Sequence, residues 1–281
     1  MAVQNGLSVD VEDWFQVGAF ETTIARSDWD GLERRVEANT DRVLALFAEA
    51  GVQGTFFTLG WVAARHPALI RRIAEAGHEV ASHGWDHARV FTLTPDQFRE
   101  DLARARAALE DAAGVAVTGY RAPSFSIDRR TPWAHAVLAE AGYAYSSSIA
   151  PIAHDHYGWP DAPRVPFRPL PDAGLIELPI TIARVLGREV TAGGGFFRLL
   201  PQRVTNRAVR DANAAGEAAI FYFHPWEIDS GQPRVRNAPL KSRLRHYARL
   251  GAMAGKLRAL TAAHDWGRVD AIAQAATERL A

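Results

Sequence analysis

Between Leu7 and Ile149 the chain alternates β-prone and helix-prone runs, and this rhythm constrains the fold more than any other feature. Strand candidates run over Leu7 to Val11, Gly54 to Leu59, Glu79 to Ser82, Gly119 to Ala122 and Tyr143 to Ile149. The first intervening helix is predicted from about Thr40 to Ala50, with Asn39 as N-cap and Gly51 as stop. A second has Pro67 in its first turn and Gly77 just past its end. A third opens at Thr94-Pro95, is amphipathic through Phe98, Leu102, Ala105 and Leu109, and stops at Gly114, while a fourth spans Pro132 to Ala141 and closes at Gly142. Repeated strand–helix units imply a mostly parallel sheet with right-handed crossovers. At 281 residues an open doubly wound sheet and a closed β/α barrel are the two natural solutions.

Beyond Ala150 the rhythm changes. Pro151 to Ala173 holds six prolines and no periodicity, and so long a connection inside a compact domain is usually functional or flexible. Leu175 to Ile182 and Ala218 to Phe223 are further strand candidates, separated by a flexible Gly193-Gly194-Gly195 turn and a helix beginning near Pro201. The turn is no phosphate cradle, because no Lys-Ser/Thr follows it. A single domain is expected, with a barrel over about 1–230 and a helical extension over about 231–281 that includes Leu240 to Leu260.

Composition narrows the chemistry. With no cysteine, disulfides, iron–sulfur clusters, thiolate zinc sites and Cys nucleophiles are excluded, so any metal must be held by His, Asp and Glu. The 32 basic and 32 acidic residues cancel, which argues against a general nucleic-acid binder. Apolar runs such as Ala218 to Phe223 fall far short of the roughly 20 residues that span a bilayer. Asp10, Glu12 and Asp13 stand where a secretory leader would need an apolar stretch. A cytoplasmic protein without an integral membrane segment is expected.

Reactive side chains gather at strand ends: Asp10, Glu12 and Asp13 after the first, His83 and His87 after the third, Arg121 after the fourth, and His224 after the run ending at Phe223. In parallel α/β folds those ends share one face, where active sites sit. His83 and His87, four residues apart, can reach one ion, and a first-strand carboxylate would complete a His, His, carboxylate set that leaves positions for water. Zinc is the default expectation, with manganese, cobalt and iron as alternatives. Strand alternation puts Asp10 and Glu12 on one side and so favours Glu12 over Asp13, unless a bulge intervenes. His78-Glu79-Val80-Ala81-Ser82 imitates a zincin motif, but Ser82 stands where its second His belongs.

Six segments carry a family likeness: Ser8-Val9-Asp10-Val11-Glu12-Asp13-Trp14-Phe15, Ser82-His83-Gly84-Trp85-Asp86-His87, Tyr120-Arg121-Ala122-Pro123-Ser124-Phe125, His154-Asp155-His156-Tyr157-Gly158, Gly193 to Leu200, and Phe223-His224-Pro225-Trp226-Glu227-Ile228-Asp229. Together they resemble the polysaccharide deacetylases of NodB-homology type (carbohydrate esterase family 4), and more closely the subgroup tied to exopolysaccharide clusters of exosortase (PEP-CTERM) systems. The likeness runs from about Leu7 to His246. It implies a distorted (β/α) barrel and metal-dependent removal of N-acetyl groups from an amino-sugar polymer or its precursor, with peripheral association with the polymer-assembly machinery. Carried over by position, Asp10 is the base, Glu12, His83 and His87 are the metal ligands, Arg121 tunes Asp10, and His224 protonates the leaving amine. Ser124 is the positional candidate for the backbone N–H that meets the oxyanion.

The chain departs from the family pattern in places. Asp10-Val11-Glu12-Asp13 replaces an adjacent Asp-Asp pair, so Asp13 competes with Glu12 as ligand, and Ser124 replaces an aromatic residue. Asp155 is the candidate to orient His224. The alternatives are an allantoinase-like hydrolase of small amides on the same fold and a catalytically silent carbohydrate-binding module.

Overall fold

A computed structural model describes residues 3–154 and 157–280. The chain runs β1 (Asn5–Val11), α1 (Val36–Ala50), β2 (Thr55–Thr58), α2 (Gly60–Arg65), α3 (Pro67–Glu75), β3 (Glu79–Ser82), α4 (Pro95–Ala113), β4 (Gly119–Tyr120), α5 (Ala134–Glu140), β5 (Tyr145–Ser146) and β6 (Ile176–Glu177). It continues through β7 (Ile182–Val185), β8 (Arg188–Thr191), α6 (Gly194–Leu199), α7 (Gln202–Ala214), β9 (Ile220–Phe223), α8 (Leu240–Tyr247), α9 (Met253–Thr261), β10 (Trp266–Gly267) and α10 (Val269–Arg279).

β1 to β6 pair in sequence order, all parallel, and β9 pairs the free side of β1 with Gly6 opposite Ile220 and Val9 opposite Phe223. After β6 the backbone N–H of Thr181 donates to Ile220 O at 3.1 Å, so the far edge curls round to meet β9. The result is a distorted parallel β/α barrel, one of the two solutions that the strand–helix rhythm allows and the one that the family resemblance implies. β1 is buried along its whole length because it lies at the centre of this sheet. All of its side chains therefore face either the helices or the barrel interior.

Local chemistry fixes the helices. At α4, Thr94 Oγ1 accepts from Gln97 N and the Gln97 side chain accepts from Thr94 N, a reciprocal capping box. Gly51 ends α1 at φ +66°, a left-handed conformation that glycine adopts without steric cost. Gly60 lets α2 approach α4: a Cβ there would lie 2.8 Å from Ala105 Cα. The main core joins Leu7, Val9 and Val11 of β1 to Phe56, Phe98, Phe221 and Phe223.

Several expectations are corrected. α1 begins at Val36, so Asn39 lies inside it, and its amide instead donates to Asp229 Oδ2 at 3.2 Å. The single strand expected over Leu175 to Ile182 is β6, a bend, and then the start of an antiparallel β7–β8 hairpin. The three glycines at 193–195 are no flexible turn: they open α6 against Tyr222, and a Cβ on Gly193 would sit 2.3 Å from Tyr222 O. The C-terminal stretch contains a strand as well as helices, since β10 pairs Asn5 and Gly6 of β1. Among the described residues no helix is long and apolar enough to cross a membrane.

At the amino ends of the strands, buried Glu79 accepts from Thr55 Oγ1 at 2.5 Å, Tyr145 O–H at 2.8 Å and Asp270 N at 3.1 Å. Burial is the largest influence on this carboxyl and, with Asp270 nearby, raises its pKa from 4.5 to about 7. The folded state therefore holds a proton there that the unfolded chain has released. That contribution is fully present below pH 4.5 and is lost as pH rises toward 7. Glu79→Gln should flatten the fall in melting temperature across this window; an unchanged slope in a calorimetric pH series would refute the assignment.

Candidate active site

Arg121 leaves the end of β4 with no solvent exposure. Its Nη1 donates to Asp10 Oδ1 and Ser8 Oγ, both at 2.7 Å, its Nε to Ser147 O at 3.0 Å and its Nη2 to Ser147 Oγ at 2.9 Å. The guanidinium lies over the Phe57 ring, 4.1 Å from its centroid. A buried charge is tolerated only when paired and hydrogen-bonded, and here both conditions hold. Asp10 is thereby fixed on β1 with its second oxygen 4.0 Å from His224 Nε2.

His83 follows β3. Its Nδ1 lies 2.8 Å from the carbonyl oxygen of Arg121, which can only accept, so Nδ1 carries the proton and Nε2 presents its lone pair. The next residues turn sharply through Gly84 at φ +74° and His87 at φ +61°, with Asp101 accepting from Trp85 N. This turn brings His87 Nε2 to 2.9 Å from Glu12 Oε2. That oxygen is buried and meets no other partner among the described residues. One ligand atom each from Glu12, His83 and His87 lies within 4.8 Å of the others. A buried carboxylate gathered with two imidazoles is a donor set that suits a divalent cation. The second Glu12 oxygen accepts from Trp226 Nε1 at 3.1 Å.

Burial pushes Glu12 up, but the imidazoles of His87, His224 and His83 outweigh it and hold its carboxyl down at about 2. Burial also lowers His83 to about 4, which keeps it neutral near neutral pH. Asp13 points the other way from Glu12. It accepts from Trp14 N at 2.8 Å, Arg35 N at 2.8 Å and Val36 N at 3.1 Å, and so binds the orphan N–H groups at the start of α1. Of the two competing carboxylates, the structure groups Glu12 with the imidazoles.

His224 leaves β9 and is held by Glu227. Its Nδ1 donates to Glu227 Oε2 at 3.1 Å, and the same oxygen accepts His224 N at 3.1 Å. Glu227 Oε1 accepts from buried Arg198 Nη1 at 2.7 Å. The Trp226 indole stacks on the imidazole at 21°. Burial lowers the His224 pKa, but Glu227, Glu12 and Asp10 prevail and raise it to about 9. Asp155, expected to orient His224, lies outside the described residues. Glu227 and Arg198 were not singled out from sequence. The signal was His224-Pro225-Trp226-Glu227, an N-cap pattern with histidine where Ser or Thr is usual.

These groups open into a cleft of about 320 Å³ whose apolar wall includes Phe125, Tyr157, Phe196, Tyr222 and Trp226. The proline-rich loop does reach this cleft: Tyr157 lines it and stacks on His154 with ring centroids 4.2 Å apart. Ser124 lies on the wall at φ +54°, followed by Phe125 at +48°. Two successive non-glycine residues in the left-handed region mark a locally strained turn.

Residues 28–146 match the polysaccharide deacetylase family. Residues 147–274 match a domain of unknown function, DUF3473. The deacetylase segment supplies His83, His87, Arg121 and Ser124, whereas Asp10 and Glu12 precede it and His224 and Glu227 lie in the second segment. Similar proteins include a peptidoglycan deacetylase of Helicobacter pylori, 29% identical over 113 residues, covering 40% of this chain and 38% of that protein. A chitooligosaccharide deacetylase of Bradyrhizobium is 31% identical over 110 residues, covering 39% of this chain and 48% of that protein. The chain thus spans less than half the length of either relative. The crystal structure of a candidate polysaccharide deacetylase from Mycobacterium smegmatis superposes with TM-score 0.64 at 24% identity, covering 99% of this chain and 92% of that one, and so shares the fold.

Because Asp13 anchors α1, Asp13→Ala should lower stability by roughly 1–3 kcal/mol through buried N–H groups left unpaired. Urea unfolding checks this; an unchanged midpoint would show that the carboxylate carries no such load.

Proposed function

We propose that this protein is a metal-dependent N-deacetylase of an amino-sugar polymer, with Glu12, His83 and His87 holding the ion. The observation that carries the proposal is the buried cluster of Glu12, His83 and His87, whose ligand atoms lie within 4.8 Å of one another, flanked by Asp10 tied to Arg121 and His224 tied to Glu227. A bound divalent ion supplies Lewis acidity, polarising the acetyl carbonyl and acidifying a water.

The chain's own residues then divide the proton work. Asp10, its Oδ1 occupied by Arg121, offers Oδ2 to accept the proton of the attacking water. The water oxygen forms the new C–O bond, and the Ser124 backbone N–H is the proposed donor to the oxygen on which charge develops. His224, with Nδ1 committed to Glu227, turns Nε2 toward the cleft and protonates the amide nitrogen as the C–N bond breaks. Acetate and a free amine result. The aromatic cleft wall suits sugar rings, whose apolar faces stack on such side chains. Among polymers, a bacterial exopolysaccharide or its precursor is proposed, following the motif resemblance, with zinc as the ion.

The test is acetate release from N-acetylated sugar oligomers by chelator-stripped protein, with zinc, manganese, cobalt or nothing added back. Metal-dependent release that Asp10→Asn lacks is expected. Absence of acetate with every sugar and every metal would overturn the proposal and favour a small-amide substrate. His83→Ala should lose both zinc binding by calorimetry and turnover. His224→Ala should keep the metal and lose kcat by about 10²-fold or more.

Glu227→Gln should lower kcat by at least about tenfold with KM and zinc affinity little changed, because its contact with the proposed catalytic groups runs through the orientation of His224. Glu227→Asp should recover part of the loss. A Glu227→Gln variant with wild-type kcat would remove Glu227 from this role.

A further inference from the structure

Away from the cleft, the β7–β8 hairpin ends in a two-residue turn, Leu186-Gly187, with φ of +50° and +77°. Positive φ at both positions is the geometry of a type I′ turn, where Asn, Asp or Gly is favoured. Leu186 fits poorly there, and its side chain is 100% exposed, the highest value among the large apolar residues described. A bulky side chain in the left-handed region is strained, and an apolar one in water gains nothing by packing. Single exposed leucines are common on protein surfaces. The combination of a disfavoured backbone with complete exposure at the tip of a projecting element is not.

The surroundings are strongly basic. Arg184 and Arg188 flank the tip and are exposed. A cavity of about 730 Å³ between the hairpin and α7 is lined by Arg164, Arg184, Arg203, Arg207 and Arg210 over a floor that includes Ile182, Ala183 and Val204. Among the described residues, Glu189 and Asp211 are the carboxylates paired with these six arginines. Glu189 pairs with Arg164 and Arg184 at 2.9 and 3.2 Å, and Asp211 pairs with Arg207 at 3.6 Å. The chain as a whole is electrically neutral, so this is a local concentration of charge. The hairpin is also firmly seated, since Ala183, Ala192 and Ala208 form a small buried cluster with Val190 and Val204 against it.

We propose that this hairpin docks the protein on an anionic bilayer surface, with Leu186 inserted at the acyl boundary and the arginines at headgroup level. An apolar tip flanked by Arg184 and Arg188, on a hairpin that borders an arginine-lined cavity, suits such an interface: apolar burial and attraction to anionic lipid act together, and neither alone holds a protein. A soluble polyanion would use the arginines but would give Leu186 no purpose. Docking is independent of the deacetylase assignment.

The test is sedimentation of the full chain with vesicles of phosphatidylcholine containing about 30% phosphatidylglycerol, against pure phosphatidylcholine, at about 0.1 M and 0.5 M salt. Binding to the anionic vesicles alone, weakened by salt, is expected. Leu186→Asn suits the turn geometry and so preserves the fold; it should bind about tenfold more weakly. Arg188→Glu and Arg203→Glu should each weaken binding by about fivefold or more. Acetate release from soluble oligomers should be unchanged in Leu186→Asn. No binding to anionic vesicles would overturn the proposal. So would vesicle binding that Leu186→Asn leaves intact while dextran sulfate competes fully, which would mark a site for soluble polyanions.

Discussion

The buried guanidinium of Arg121 is the interaction on which the rest of the site depends. Its side chain gathers Ser8 and Asp10 from β1 and Ser147 from beyond β5, and its own carbonyl fixes the ring of His83. One residue thus sets the position of the proposed base and the tautomer of a proposed metal ligand. Such a charge is costly to bury, and an arginine meets the demand better than a lysine because its planar fork distributes several donors at fixed angles. The short strands at this end of the barrel are held in register by side-chain hydrogen bonds as much as by their ladders, since β4 and β5 have only two residues each.

The cleft is assembled from parts with unequal pedigrees. His83, His87 and Arg121 lie in the segment that matches the polysaccharide deacetylase family, whereas His224, Glu227, Arg198 and most of the aromatic wall lie in the segment that matches DUF3473. The second segment is therefore as much a part of the site as the first. Glu227 and Arg198 form a buried pair that spans from α6 to the turn after β9 and ends on the His224 ring. Orientation of that imidazole is thus internal to the DUF3473 segment, while the carboxylates it faces, Asp10 and Glu12, come from β1 and the turn just after it.

Much of the architecture was legible because its determinants are local. Glycine stops and the Thr94-Pro95 start mark helix ends through backbone conformation and capping, which neighbouring residues decide. Glu12 and Asp13 lie just past the end of β1 and diverge, Glu12 toward the imidazoles and Asp13 toward Arg35 and Val36. What escaped was set at a distance or in disguise. Asn39 looked like a cap, but Asp13, more than twenty residues earlier, satisfies the start of α1. The β7–β8 hairpin carried no turn signal because leucine occupies the position that normally announces one. Glu227 was hidden because histidine is not among the usual capping residues.

The pairing of β1 with β9 has a consequence for how the molecule is made. Gly6 meets Ile220 and Val9 meets Phe223, so during synthesis β1 waits for more than two hundred residues before its second edge is covered. Contacts so remote in sequence form late, because loop closure must precede them. Until β9 arrives, the nascent chain presents an open edge and an unshielded apolar β1, the conditions under which growing chains associate wrongly. His224 and Glu227 arrive only with that closing strand and the turn after it. Barrel closure and completion of the site are therefore one event, and a partly synthesised chain cannot hold half of the chemistry.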